Sequence, residues 1–179
     1  MKRKIIITLV LCILALSCAS AGRFSIKAQF SPYSLQSVAL ESGIHYSSYG
    51  FGFKAGARYS IRDTLDVGLD ISLDSYRYKV LDSNYLVIGF KAVAGYGFDF
   101  TEKVFCKAEI GLGLDIRKIG DRSQATFGFG VYMGGGYRFT DRISATAGLD
   151  LEHGFQGSAA DFAARFRLGA VYACKEERT

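Results

Sequence analysis

The chain has 179 residues, of which 49% are hydrophobic, 14% aromatic and 22% charged, with 21 glycines, one proline and a formal net charge of +5. That apolar content excludes a disordered chain, and the absence of an apolar run of about 18 residues excludes a helical membrane protein. What remains is a one-domain β protein, either soluble or a membrane barrel.

Lys2, Arg3 and Lys4 precede an apolar stretch over residues 5–16, and Ala19-Ser20-Ala21 provides a small-x-small site. This is the pattern of an export signal peptide over 1–21, cleaved after Ala21. Lipoprotein processing at Cys18 is the rival reading of the same segment. Removing the three leading cations lowers the net charge from +5 to +2. No basic run interleaved with aromatics survives, so nucleic acid is not an expected partner. Two cysteines stay in the mature chain, Cys106 within a strand and Cys174 beyond the last one. No disulfide is expected between them.

Eight strands follow, at 24–32, 49–61, 65–74, 86–100, 104–116, 125–139, 143–152 and 162–172. Each alternates with period 2. In 49–61 the odd positions read Tyr49, Phe51, Phe53, Ala55, Ala57, Tyr59 and Ile61, and the even ones Gly50, Gly52, Lys54, Gly56, Arg58 and Ser60. In every strand the charges keep to one face. Most of the glycines fall on that polar face too, where a soluble sandwich or lipocalin-like barrel would place water-exposed side chains. Glycine belongs where space is tight, which suits the interior of a narrow barrel. Aromatics cluster near the strand ends: Tyr59, Phe98, Phe100, Tyr137 and Phe139 at one, Tyr49, Phe51, Phe127, Phe129 and Phe162 at the other. Such bands mark two lipid–water interfaces.

The strands also repeat. GFGFKAGARY at 50–59, GFKAVAGYGF at 89–98 and GFGVYMGGGY at 128–137 are spaced by 39 residues, the length of one β-hairpin unit. Connections at 62–64, 101–103 and 140–142 are tight, while 33–48, 76–84, 117–124 and 154–161 are longer. Short periplasmic turns and longer external loops are the rule in bacterial outer-membrane barrels. Both termini are therefore expected in the periplasm. The expected fold is all-β: an eight-stranded antiparallel up-and-down transmembrane β-barrel over 22–173, after a cleaved signal peptide and before a periplasmic tail over 174–179.

Lumen positions carry Lys27, Lys54, Arg58, Lys91, Lys107, Arg117, Arg138, Arg165 and Arg167 against Asp66, Asp70, Asp74, Asp99, Glu109, Asp115, Asp150 and Glu152. Buried charges require partners. Hairpin geometry suggests Arg58 opposite Asp66, Lys54 opposite Asp70, Asp74 opposite Lys91, and Asp150 and Glu152 meeting Arg165 and Arg167. An eight-stranded barrel is about wide enough to be filled by such side chains; an ion-lined conduit is the competing reading. The expected external loop 33–48 offers Tyr33, Leu35, Val38, Leu40, Ile44 and Tyr46 as a candidate binding surface for an extracellular or host ligand, with Val38, Leu40 and Ile44 as the alternative greasy lip for a small hydrophobic solute. His45 and His153 show no spacing that joins a base to an orienting acid. Scattered Cys and His offer no metal set. Neither enzyme activity nor a cofactor is expected.

The eight amphipathic strands, the export signal and the closing segment Arg167-Leu168-Gly169-Ala170-Val171-Tyr172 resemble the small outer-membrane barrels of the OmpX, OmpA-barrel, OmpW and opacity-protein group. Arg167, Gly169 and Tyr172 match the group's assembly signal; Cys174 stands where its final aromatic would be. The resemblance implies insertion into outer-membrane lipid through the barrel-assembly machinery. It also implies a role within the group's span, from surface adhesion and defence to OmpW-like passage of small hydrophobic solutes.

Overall fold

A computed structural model describes residues 24–39, 45–78, 83–119, 122–156 and 159–174. Eight strands and the turns at 63–64, 100–103 and 139–142 make up these residues: β1 (Phe24–Ala39), β2 (His45–Arg62), β3 (Leu65–Tyr78), β4 (Ser83–Asp99), β5 (Val104–Ile119), β6 (Arg122–Arg138), β7 (Ile143–Gln156) and β8 (Ala159–Cys174). Each pairs antiparallel with its sequence neighbours, and β1 pairs with β8 to close the barrel. The described residues adopt the expected eight-stranded antiparallel barrel; the expected signal peptide over 1–21 and most of the tail lie outside them. Closure leaves no strand edge unpaired.

The faces are inverted relative to a water-soluble protein. Arg58, Arg167, Asp74 and Asp150 are among the most buried side chains, whereas Leu69, Ile110, Leu112 and Phe139 are exposed. Apolar exposure on this scale matches a lipid solvent. Every aromatic expected in the two bands lies exposed on the outer wall.

The ends of the strands differ from expectation. At 14 to 18 residues each, they exceed the roughly 9–11 that a tilted transmembrane strand needs. The segment expected as a long external loop is mostly strand: Tyr33, Leu35 and Val38 belong to β1 and Tyr46 to β2. Leu40 and Ile44 lie outside the described residues. The cause is a bulge at the chain's one proline. Ladder pairing slips between Ser31 and Ser34 against β2, and between Phe30 and Tyr33 against β8. Pro32 cannot donate to a ladder, and Ser31 Oγ donates to the Tyr33 carbonyl at 2.8 Å. One extra residue inverts the alternation, so the period that ran to residue 32 resumes with opposite parity. β8 likewise runs through Cys174, one residue past the expected barrel limit.

Two lower turns reproduce the 39-residue repeat. Thr101 Oγ1 accepts from the N–H groups of Lys103 and Val104 at 3.2 and 3.0 Å. Thr140 Oγ1 accepts from Arg142 and Ile143 at the same distances. The β2–β3 turn departs from them. It is built on Asp63-Thr64 with a slip between Ser60 and Arg62.

Candidate functional site: the charge-filled lumen

Inward positions of seven strands send charged groups to the barrel axis, while β6 contributes glycines and Tyr132 above Arg138 at its lower end. Arg58 on β2 is the lower hub. Its guanidinium grips Asp70 with Nη1–Oδ1 at 2.6 Å and Nη2–Oδ2 at 2.9 Å. Its Nε and Nη2 also donate to Glu109 at 3.2 and 3.1 Å. Two forked contacts from one planar cation are a geometry that only arginine offers. Lys27 Nζ adds a bond to Glu109 at 2.5 Å and lies 5.1 Å from the Tyr132 ring centre. Lys107 closes this cluster below, 2.6 Å from Asp66 and 3.2 Å from Glu109.

Lys54 links the lower cluster to the upper one. Its Nζ stands 3.6 Å from Asp70 and 2.8 Å from Asp150. Asp150 then accepts from Arg167 at 3.3 Å, whose Nη2 reaches Asp74 at 3.3 Å. Arg165 approaches Asp74 at 3.3 Å and Glu152 at 2.6 Å. Lys91 completes the cluster with Glu152 at 2.5 Å and Asp115 at 3.5 Å. The ladder of ion pairs is continuous between Lys107 and Lys91.

Several partners differ from those suggested by hairpin geometry. Asp66 lies opposite Ser60, and Arg58 opposite Gly68, two residues from the expected register: the turn at Asp63-Thr64 pairs Arg62 with Leu65, and the slip after Ser60 then shifts the ladder by one. Lys54 lies opposite Ser72. Lys91 faces Asp70 rather than Asp74, because β4 begins at Ser83, inside the expected turn. Arg58 still comes within 3.9 Å of Asp66, and Lys54 reaches Asp70 diagonally. Asp74 turns instead to the two arginines of β8. On the last hairpin, Asp150 lies opposite Arg165.

Sequence reasoning did not find the upper closure. Arg117 pairs with Asp161, a residue assigned to a loop, and Gln36 bonds Asp161 at 3.4 Å. Asp161 brings the lumen acids to nine, matching the nine cations. Beside this pair, Tyr76 and Tyr85 stack with ring centres 5.2 Å apart. Arg165 Nε donates to Tyr76 at 2.9 Å, while Tyr85 bonds Gln36 and Ser48. Alternation continued past residue 74 would have pointed Tyr76 inward.

Little space is left. A cavity among Lys54, Asp70, Lys91, Glu109, Asp150 and Glu152 holds about 10 Å³, roughly one water. Below the ladder the bore widens into spaces of about 200 and 330 Å³ that share Phe105 and Arg138. Arg138 lies 4.8 Å from the Phe105 ring and 2.6 Å from Asp99. His153 sits far from any of this, on the outer wall against Phe129 and Phe155.

Of the candidate binding-loop residues, Tyr33 packs beside Tyr49 at 5.9 Å on the lipid-facing wall. Leu35 lies opposite Tyr49 and Ala164 on the same wall. The side chains of Val38 and Tyr46 are not among those described.

Two solved structures share this architecture. Neisserial surface protein A (NspA) superposes with a TM-score of 0.66 at 20% identity, covering 86% of this chain and 97% of that one. Ail, the attachment invasion locus protein of Yersinia pestis, gives 0.51 at 14% identity, covering 84% and 99%. No family model and no curated protein matches the chain. The fold is that of the small eight-stranded outer-membrane β-barrels.

Proposed function

We propose that this chain, freed of residues 1–21, is a non-catalytic outer-membrane barrel of structural or surface-interaction type, with a closed lumen. Both termini then lie in the periplasm, and the barrel end reached by the C-terminus of β1 faces outward. The observation that carries the reading is the filled middle of the bore, where charges neutralise one another across a space of about 10 Å³. A hydrated ion needs a wider path, and a hydrophobic solute would have to displace paired charges in a low dielectric. The filled bore therefore speaks against the OmpW-like channel.

Function then falls to the outer surface and the upper rim. Ail has been solved in complex with the heparin analogue sucrose octasulfate, and sulfated glycans are the first ligand class to assay here. Two measurements test the reading. The folded barrel should migrate faster than its boiled form on a gel, and should stay insoluble without detergent. In planar bilayers it should conduct little. Large, steady conductance from the wild-type barrel overturns the closed-lumen reading, and a monomer soluble without detergent overturns the barrel's membrane placement.

A further inference from the structure

The lipid-facing wall is uneven around its circumference. On β4, two successive outward positions, Ala92 and Ala94, carry only a methyl group. Register places Leu69 and Leu112 on either side of Ala92, and Val67 and Ile110 on either side of Ala94. Leu69 and Ile110 stand 67% and 63% exposed, so they rise as banks over an alanine floor. The furrow between them is open to the outside and offers about 460 Å³. β3 and β5 are two strand spacings apart, about 10 Å, which admits one hydrocarbon chain once the bank side chains are in place.

A second observation lies on the same three strands. Beyond the upper aromatic band, outward positions among the described residues are mostly serine, as at Ser37, Ser47, Ser75 and Ser123. The charged ones are Arg77 on β3 and Lys118 on β5, both exposed cations, on either side of the β4 segment Asn84–Leu86. From Asn84 to Ala92 the strand advances about 26 Å at roughly 3.3 Å per residue. With a tilt near 40° that is about 20 Å of depth, the distance from headgroup level to the bilayer midplane.

We propose that the β3–β5 face holds one lipid A-type molecule, a phosphorylated disaccharide with saturated acyl chains. Its phosphates engage Arg77 and Lys118, and one chain lies in the Ala92–Ala94 furrow. Two cations on strands about 10 Å apart suit a headgroup with two phosphates on a disaccharide; the single phosphate of a phospholipid would engage one of them. The proposal rests on the orientation given above, since lipid A occupies the outer leaflet.

The test is native mass spectrometry of the full barrel in detergent with purified lipid A or phosphatidylglycerol. One lipid A per barrel should be retained. Ala92→Phe, which fills the furrow, and the pair Arg77→Gln with Lys118→Gln should each lower retention about tenfold. Ala147→Phe, on the outer wall of β7, should leave it unchanged. Heat-modifiable gel mobility verifies that each variant is folded. Unchanged retention in the furrow and cation variants overturns the site, as does equal retention of phosphatidylglycerol. An epitope inserted after residue 120 reads the orientation separately in intact cells. If it is hidden, the orientation and the lipid proposal fall together; if it is displayed while lipid A fails to bind, the lipid proposal alone falls.

Discussion

β2 and β6 face one another across the barrel, four strands apart in a closed ring of eight, and they line the bore in opposite ways. β2 sends Lys54 and Arg58 inward, whereas β6 presents Thr126, Gly128, Gly130, Tyr132, Gly134 and Gly136 before Arg138 at its lower end. Long cations need room beyond their own strand to reach carboxylates on β3, β5 and β7, and a wall of glycine supplies it. A bore lined by lysine and arginine on every strand could not close at this diameter. One lined by glycine all round would leave a void. The difference teaches that a filled lumen is made by complementarity between walls rather than by the average size of its residues.

The largest effect on this arrangement is expected at its charged wall. Arg58→Ala leaves Asp70 and Glu109 buried with fewer partners, and removing one member of a buried ion pair costs about 3–5 kcal/mol. Urea unfolding in detergent micelles should register the loss, with Asp70→Ala somewhat milder because Arg58 and Lys54 keep other acids. A smaller effect is expected at the glycine wall. A Cβ at Gly134 would collide with the Tyr132 hydroxyl and the Ala147 carbonyl, so Gly134→Val should cost about 1–3 kcal/mol as overpacking. Its neighbour Gly135 points outward, with the Phe105 carbonyl at 3.3 Å from such a Cβ. Gly135→Val should stay within about 0.5 kcal/mol in the same unfolding measurement. The smallest effect belongs to the open end. Lys107 is 22% exposed, and water at the lower mouth can replace what its ammonium supplies. Lys107→Gln should cost about 1 kcal/mol or less, and a loss as large as that of Arg58→Ala would show that the mouth is as sealed as the middle.

The fold was legible in the sequence because lipid outside tolerates no charge, and none of the eight segments carries a charge on its outer face. Register was not legible, and the reason is geometric. Sliding a strand by two residues leaves every side chain on its own face, so hydropathy cannot distinguish Asp66 opposite Arg58 from Asp66 opposite Ser60. The bulge at Pro32 was hidden differently. It flips parity, and beyond it the outer face turns to Ser37 and Ser47, which look like loop residues once the lipid-facing signal has faded. Tyr76, Tyr85 and Asp161 were missed for that same reason: each sits where the strand has risen past the apolar belt. The set of charges that share the bore, in contrast, was readable from alternation alone, since facing inward requires no knowledge of the partner.

The matched turns at Thr101 and Thr140 bear on how such a chain can change length. Each 39-residue hairpin carries its own turn and its own two-faced strands, so it is a cassette. Copying one would add two strands with all their local pairing intact. The ion pairs do not copy in that way. Arg167 reaches from β8 to Asp74 on β3, and Lys27 from β1 to Glu109 on β5. A ten-stranded descendant would draw those ends apart and leave charges facing water across a widened bore. Hairpins let the strand number grow, and the contacts across the axis are what hold it at eight.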